Sequence, residues 1–448
     1  MYRYMEIASH VEEGILRDKL KAGDQVPSVR SLCRTYQCHQ STAVKALNYL
    51  KDKGLLYSKP QSGYYVAGGP AREVQDSPTI DFKSASPDPR FFPYEAYQIC
   101  LNQAIEQKRS RLFAYGDAEG YEPLKRAISS LVTQDFIFAD PSRIVLTAGI
   151  QQSLTILTQM DLPGAGRKIL IEQPSYHCYI AYLKLNHMDV ITIDRTWAGI
   201  DLQELEAIFK TGEVKFFYTM ARVHNILGTP YSKSQKEQIL ALAKAYGVYI
   251  VEDDYMGDYV VDKTNDPLVT YDTEASHVIY LRSFSKSIFP GLRVGFAILP
   301  KNLVKPFAQV QYYRDMGTSL LSQVSLDLFL RNKMYERHIG RMTRLYGERA
   351  SILRSSLEAR GIHNPDPASR GQAIIHTAVK VDRAISQKRL MTEKIQVEDL
   401  AAYFYEIRES NNHLLMLNVS NVDKSKIQGG INRLFDVIEG KKEESDYS

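Results

Sequence analysis

The sequence has few cysteines, a single tryptophan and no long apolar run. Its four cysteines, Cys33, Cys38, Cys100 and Cys178, are scattered over 448 residues with neither a CxxC pair nor regular spacing, which excludes a small domain stapled by disulfides. They read as reduced core thiols. No stretch of about 18 apolar residues occurs, and the opening MYRYMEIASHVEEG lacks the apolar segment of a secretory signal. A cytoplasmic protein that does not span a membrane is expected. His and Cys nowhere cluster at metal-ligand spacing, so no metal is expected. Strong charge of one sign is missing too: 56 Lys and Arg against 52 Asp and Glu leave +4, too little by itself to mark a nucleic-acid partner.

What is present is ordinary for a folded soluble chain, with 44% hydrophobic and 24% charged residues. At about 150 residues per domain the length suggests roughly three domains. The charge is unevenly placed. Met1–Pro70 holds ten Lys and Arg against six Asp and Glu, so the whole excess lies there, and the remainder carries 46 of each sign.

That basic segment, 1–67, has helical apolar spacing in Ile7, Val11 and Ile15, then the turn AGDQVPS. A short helix around Val29–Tyr36 follows. After QCHQST a second helix presents Val44, Leu47 and Leu50, and LLYSKPQSGYYV supplies a hairpin. Two short helices, a tight turn and a hairpin outline a winged helix-turn-helix, against the plainer alternative of a small helical bundle. GGPAREVQDSPT at 68–79 reads as an interdomain linker.

Beyond it, helices alternate with short β-branched or aromatic runs: IVLT from Ile144, KILIE from Lys168, VITI from Val190, KFFY from Lys215, VYIV from Val248, VIYL from Val278 and VGFAI from Val294. This predicts an α/β body whose large domain, 80–322, carries a mostly parallel seven-stranded sheet. A smaller α/β lobe is expected over 323–440, with a helix from about Lys424, and the tail 441–448 reads as disordered.

In open α/β sheets functional groups collect at the carboxyl ends of the strands. There the chain places a Gly turn opening a helix (Gly149, Ile150, Gln151), an aromatic residue (Tyr176), an amide (Asn225), a carboxylate with a tyrosine (Asp253, Tyr255), and Ser283, Ser285 and Lys286 followed by Arg293. Each is a common surface feature taken singly. Their order matches the needs of pyridoxal 5'-phosphate: a phosphate cup from Ile150, Gln151, Ser283, Ser285 and Arg293, a ring plate from Tyr176, and ring-oxygen donors from Asn225 and Tyr255. Asp253 would keep the pyridine nitrogen protonated, and Lys286 would form the imine and act as the catalytic residue.

The first segment resembles the GntR-family DNA-binding domain, through LKAGDQVPSVRSLCRTY and STAVKALNYLKDKGLLYSKPQSGYYV. The resemblance implies that Arg30 contacts a phosphate, that Gln40, Ser41, Thr42 and Lys45 face the major groove of double-stranded operator DNA, and that Ser62 and Gly63 form the wing tip. The family usually has Arg where Gln40 stands, so the base preference would differ. The body resembles the fold-type I aminotransferases through TAGIQQS, EQPSY, HNILGT, VEDDY and SFSKSIFPGLRVG. YGDAEGYEPLKRAI matches a motif whose tyrosine, here Tyr115, reaches the phosphate in the neighbouring subunit, which implies a homodimer. Together the two parts resemble the MocR subfamily of GntR-type regulators.

The chain departs from the aminotransferase pattern at Ile226, which replaces a proline, and at Ala221-Arg222. A further departure falls on the last short strand, where Met416 aligns with the arginine that grips a substrate α-carboxylate; Arg222 or Arg370 could substitute. Three functions follow as expectations. The first is a regulator that senses an amine, an amino acid or the cofactor itself through Lys286. The alternative is a working aminotransferase carrying a DNA-binding head, and the third is a body without cofactor, against which Lys286, Asp253, Asn225 and Arg293 together argue. His224 is expected to be structural. Trp197 is expected to pack on the surface of the large lobe.

Overall fold

The computed structural model describes residues 3–16, 20, 23–52, 55–59, 62–66, 79–164, 166–362, 373–381, 387–398, 400–406 and 414–440. The linker assigned to 68–79, except Thr79, and the tail 441–448 lie outside the described residues, as does Arg370. The chain divides into two compact units, Met1–Pro78 with Tyr94–Ile99, and Thr79–Pro93 with Cys100–Ser448.

In the first unit, α1 (Arg3–Leu16), α2 (Val29–Thr35) and α3 (Gln40–Asp52) are followed by β1 (Leu56–Lys59) and β2 (Gly63–Val66). Ser28 starts α2 by accepting a hydrogen bond from the Ser31 amide at 3.2 Å, satisfying one of the free N–H groups of the first turn. The helices close over Ile7, Val11, Ile15, Leu32, Leu47 and Leu50. The buried face of α3 is completed by Ala43 and Ala46, whereas Val44, expected in the core, is only half-buried. One position of rotation explains the difference: small alanines let α3 approach α1 closely and leave Val44 at the rim. β1 and β2 pair antiparallel from Leu56–Val66 to Lys59–Gly63, and Gly63 takes φ +115, which a side chain would resist.

The second unit begins with β3 (Ile80–Asp81), followed by α4 (Tyr94–Lys108), which starts in the first unit, and α5 (Glu122–Val132). Then come β4 (Ile144–Thr147), α6 (Ile150–Gln159), β5 (Lys168–Gln173), α7 (His177–Leu185), β6 (Val190–Asp194), α8 (Leu202–Lys210), β7 (Val214–Thr219), α9 (Lys233–Tyr246), β8 (Tyr249–Asp253), β9 (Val278–Ser283) and β10 (Gly295–Ile298). All seven apolar runs form strands of one sheet, ordered β4-β10-β9-β8-β7-β5-β6. Only β10 is antiparallel to its neighbours. Both faces are covered, one by Leu154, Leu157, Ile180 and Phe307, the other by Leu205, Phe209, Ile239 and Leu240. Two-sided burial is why these strands read as continuous apolar runs rather than alternating ones.

The C-terminal part comprises α10 (Lys301–Asp315), α11 (Leu320–Arg331), α12 (Met334–Glu358), β11 (His376–Lys380), α13 (Gln387–Thr392), β12 (Ile395–Gln396), β13 (Leu414–Asn418) and α14 (Lys424–Glu439). β11 and β13 pair antiparallel, placing Ala378 opposite Met416. β12 pairs in parallel with β3, and Ile80 and Phe82 join the core formed by Leu353, Leu417, Ile427 and Ile431. The segment that opens the body therefore packs with the C-terminal lobe, and it carries Ala85 and Pro87 to the mouth of the site described below. Among the described residues no helix is long and apolar enough to cross a membrane.

The thiols are more varied than expected. Cys100 is buried, Cys33 and Cys38 are half-buried, and Cys178 is exposed at the start of α7, so only Cys100 is a core thiol. Trp197 is also placed differently. It packs with Ile226, Leu227, Ala378 and Met416, bridging the loop after β7 and the C-terminal lobe instead of lying on the large lobe alone.

Candidate active site and DNA-binding face

All the expected cofactor residues except Tyr115 line one cavity of about 200 Å³, at the carboxyl edge of the sheet. Tyr115 is 81% exposed, away from the cavity of its own chain.

The phosphate end of the cavity is set by backbone geometry. Gly149 caps α6 with φ +105, and a side chain there would stand 3.7 Å from Ser283 Oγ and 3.8 Å from the Arg293 guanidinium. The first amides of α6, at Ile150 and Gln151, and its positive end thus share one corner with Ser283 and Arg293. Ser283 Oγ and Ser285 Oγ are 3.1 Å apart. Arg293 adopts left-handed φ 51 and ψ 42, a conformation costing about 1–2 kcal/mol that the surrounding turn must hold in place.

At the ring end, the Tyr218 hydroxyl donates to Asp253 Oδ2 at 2.7 Å. Asp253 Oδ1 and Asn225 Oδ1 are buried and without hydrogen-bond partners among the described residues. Burial pushes the Asp253 carboxyl up to about 7, against the Tyr218 hydrogen bond and with the help of Asp254. Lys286 donates to the Ala85 carbonyl at 2.5 Å. Burial lowers its ammonium to about 8, although Cys178 and Asp253 oppose the shift. Tyr176 and His177 lie side by side at the N-terminus of α7, with ring centroids 5.5 Å apart, and His177 packs on Tyr403 at 4.7 Å.

Several lining residues carry no signal at a strand end. His376, from β11, has Nε2 3.2 Å from the Tyr255 hydroxyl and 3.0 Å from the His224 carbonyl. Burial drives His376 down to about 4, so its ring is neutral at pH 7. A carbonyl only accepts, so the single ring proton sits on Nε2, and the Tyr255 hydroxyl is left with its own proton to donate into the cavity. Ala85 and Met220 also line the cavity, Met220 directly after β7.

His224 is fully buried, with Nδ1 accepting from the Ile226 and Leu227 amides at 3.2 and 3.1 Å and Nε2 donating to the Pro174 carbonyl at 3.0 Å. Its ring holds the loop that carries Asn225. Arg222 is committed elsewhere: it pairs with Asp254 at 2.9 Å and Asp135 at 3.3 Å and donates to the Asn265 carbonyl. It therefore does not replace the guanidinium missing at Met416. Met416 itself is 2% exposed and lines the cavity.

On the head, Arg30, Gln40, Ser41 and Lys45 are exposed and Thr42 is half-buried, the last four on the first turns of α3. Lys45 Nζ stands 4.5 Å above the Tyr4 ring. Ser62 and Gly63 lie at the hairpin, where the Ser62 carbonyl accepts from Gln25 Nε2 at 2.7 Å.

Residues 90–434 match the family model described as aminotransferase class I and II, and residues 3–66 match that of the bacterial regulatory proteins of the gntR family. The HTH-type transcriptional regulator YcxD of Bacillus subtilis (strain 168) is 38% identical over 97% of this chain and 99% of its own length. The multiple substrate aminotransferase from Thermococcus profundus shares the fold of the body, with a TM-score of 0.72 at 24% identity over 82% of this chain and 93% of that one. LysN, an α-aminoadipate aminotransferase from Thermus thermophilus solved with N-(5'-phosphopyridoxyl)-L-leucine, superposes with a TM-score of 0.72 at 23% identity over 87% of this chain and 97% of its own.

Pyridoxal 5'-phosphate is the cofactor of this aminotransferase family. The residues present fit it: a buried, unpartnered Asp253 oxygen able to accept from a ring N–H, and a guanidinium, two hydroxyls and a helix N-terminus at the phosphate end. A GntR-type helix-turn-helix continuous with such a body, in a chain matched end to end by an HTH-type regulator, places this protein in the MocR subfamily of GntR-family transcriptional regulators.

Proposed function

We propose that the protein is a DNA-binding transcriptional regulator whose body holds pyridoxal 5'-phosphate on Lys286 and uses it to sense an amine or amino acid. The observation that carries this reading is the convergence of Lys286, Asp253, Asn225 and Tyr255 with the Gly149–Arg293 corner in one cavity, in a chain that also carries a GntR-type head. When bound, the cofactor supplies an aldehyde that reacts reversibly with primary amines and a ring that accepts electrons. The protein groups would do the rest. Ile150, Gln151, Ser283, Ser285 and Arg293 would bind the phosphate, Asp253 would hold the ring proton, and Tyr176 would cover one ring face. Asn225 and Tyr255 would donate to the ring oxygen.

In this reading 1–67 is the operator-binding head, 68–79 the linker, 80–322 and 323–440 the two lobes of the body, and 441–448 a tail. Arg30 would hold a phosphate, Gln40, Ser41, Thr42 and Lys45 would enter the major groove, and Ser62 and Gly63 would form the wing tip. Two bodies would form a cytoplasmic homodimer, with Tyr115 of each reaching the phosphate site of the other. Ligand exchange at Lys286 would change the relative stability of two dimer states with different affinity for the operator.

The test is to add amines and amino acids to the yellow protein while recording its visible spectrum and the gel mobility of upstream DNA. A stoichiometric spectral change with altered mobility is expected. Sustained keto-acid formation without any change in DNA binding would overturn the sensor in favour of the aminotransferase, a reading supported by the presence of Lys286 and Asp253 in one cavity.

A further inference from the structure

We infer that the cavity selects primary amines that lack an α-carboxylate and carry an apolar body. The inference rests on the reading that Lys286 holds the cofactor, and it narrows the ligand class of that site.

Among the described lining residues the ionisable groups with formal charge are Asp253, Lys286 and Arg293. Both cations have assigned work: Arg293 lies with Ser283 and Gly149 at the phosphate corner, and Lys286 is the attachment point. His177 and His376 also line the cavity, but burial lowers both, so neither brings positive charge at neutral pH. Among the described residues, the guanidinium groups of Arg349 and Arg222 are spoken for. Arg349, one helical turn from Tyr346, is 1% exposed, pairs with Asp88 at 2.9 Å and donates to the Ser420 carbonyl. Arg222 is held by Asp254 and Asp135.

Besides the groups already placed, the lining includes Met220, Met256, Tyr259, Tyr346, Ile375 and Met416, with the uncharged amide of Asn418 beside them. Met416 is packed against Ile226, Leu227, Ala378 and Tyr403, so its thioether side chain is part of a filled core and not a movable plug. An α-amino acid would bring its carboxylate to this lining, losing hydration without an ion pair to replace it. A hydrogen in the carboxylate's place removes that penalty, and an alkyl or aryl body buries against methionine and tyrosine surface.

Exchange then balances simply. A carbon–nitrogen double bond to the incoming amine forms, the one to Lys286 Nζ breaks, and the two protons given up by the amine nitrogen are taken by Nζ, which is left as a free primary amine.

The experiment titrates the holo-protein with matched pairs, 2-phenylethylamine against phenylalanine and 3-methylbutylamine against leucine, reading the visible spectrum and the melting temperature. Each amine is expected to act at a concentration on the order of 100-fold below its amino acid, the discrimination a missing bidentate ion pair gives. Met416→Arg should shrink or reverse that ratio. Equal or better response to the amino acids overturns the inference, as does a yellow protein that no amine perturbs; both leave the cofactor reading standing. Protein that does not retain the cofactor overturns the reading beneath it. The wild-type titration decides the question even where Met416→Arg does not fold.

Discussion

Tyr218 donates its hydroxyl proton to one oxygen of Asp253 at 2.7 Å, while the other oxygen of that carboxyl, buried at the cavity, has no partner among the described residues. The carboxyl is thus held in place on one side and unsatisfied on the other. Burial raises its ionisation to about 7, against the Tyr218 hydrogen bond. The folded state then keeps a proton that the unfolded chain has already lost, so Asp253 makes stability fall as pH rises from the ordinary carboxylate range to about 7, and level off above it. The buried histidines His224 and His376, pushed down by burial, act oppositely below about pH 6.5. Subtracting the pH–melting profile of Asp253→Asn from that of the wild type isolates the Asp253 slope; identical profiles would refute it. Tyr218→Phe removes a hydrogen bond to a charged group, worth about 1.5–3 kcal/mol, and should weaken cofactor retention at least about tenfold.

Lys286 gives a second pH dependence. With its ammonium lowered to about 8 by burial, about one molecule in ten carries the neutral amine at pH 7, against about one in three thousand for an ordinary lysine. Cofactor added to stripped protein should attach at a rate that climbs with pH and flattens above about 8. Stopped-flow absorbance would show this; a rate still climbing tenfold per pH unit at pH 9 would contradict the lowered value. Lys286→Ala should lose the visible band while still binding the cofactor non-covalently.

How far these sites could be read from sequence depends on where each residue comes from. The seven strands were legible because burial on both faces leaves unbroken apolar runs such as IVLT and KILIE, and residues at their carboxyl ends, from Gly149 to Lys286, followed from that placement. Met416 was legible only through the resemblance of its strand. His376 and Ala85 were not, because each reaches the cavity from a segment whose position is fixed by long-range pairing, β11 with β13 and β3 with β12. Nothing local in HTAVK or SASP reports those contacts. The expectation that Trp197 packs on the large lobe was incomplete for the same reason, since the cluster it joins contains Ala378 and Met416, far along the chain, as well as Ile226 and Leu227.

Gly295 tests the packing beneath the phosphate corner. A Cβ there would meet Gly149 Cα at 2.8 Å and the Arg282 carbonyl at 2.9 Å, both backbone atoms that cannot rotate aside. Gly295→Ala should push β10 away from the turn before α6, costing about 1–3 kcal/mol of stability and lowering phosphate affinity. The check is thermal melting with and without inorganic phosphate: a wild-type melting temperature together with an unchanged phosphate shift would show that the turn tolerates the displacement.

Lys45 tests the head. It is exposed on α3 with its ammonium 4.5 Å above the Tyr4 ring, a contact that fixes its direction while leaving the charge accessible. Lys45→Ala should weaken operator binding and reduce the slope of log affinity against log salt by about one, the change expected when one phosphate contact is lost. Tyr4→Phe keeps the ring face and should leave both quantities near wild type. Titrations at several salt concentrations separate the outcomes. An unchanged slope with weaker binding would mean that Lys45 acts on a base edge or on packing, and unchanged affinity would place it away from the DNA altogether.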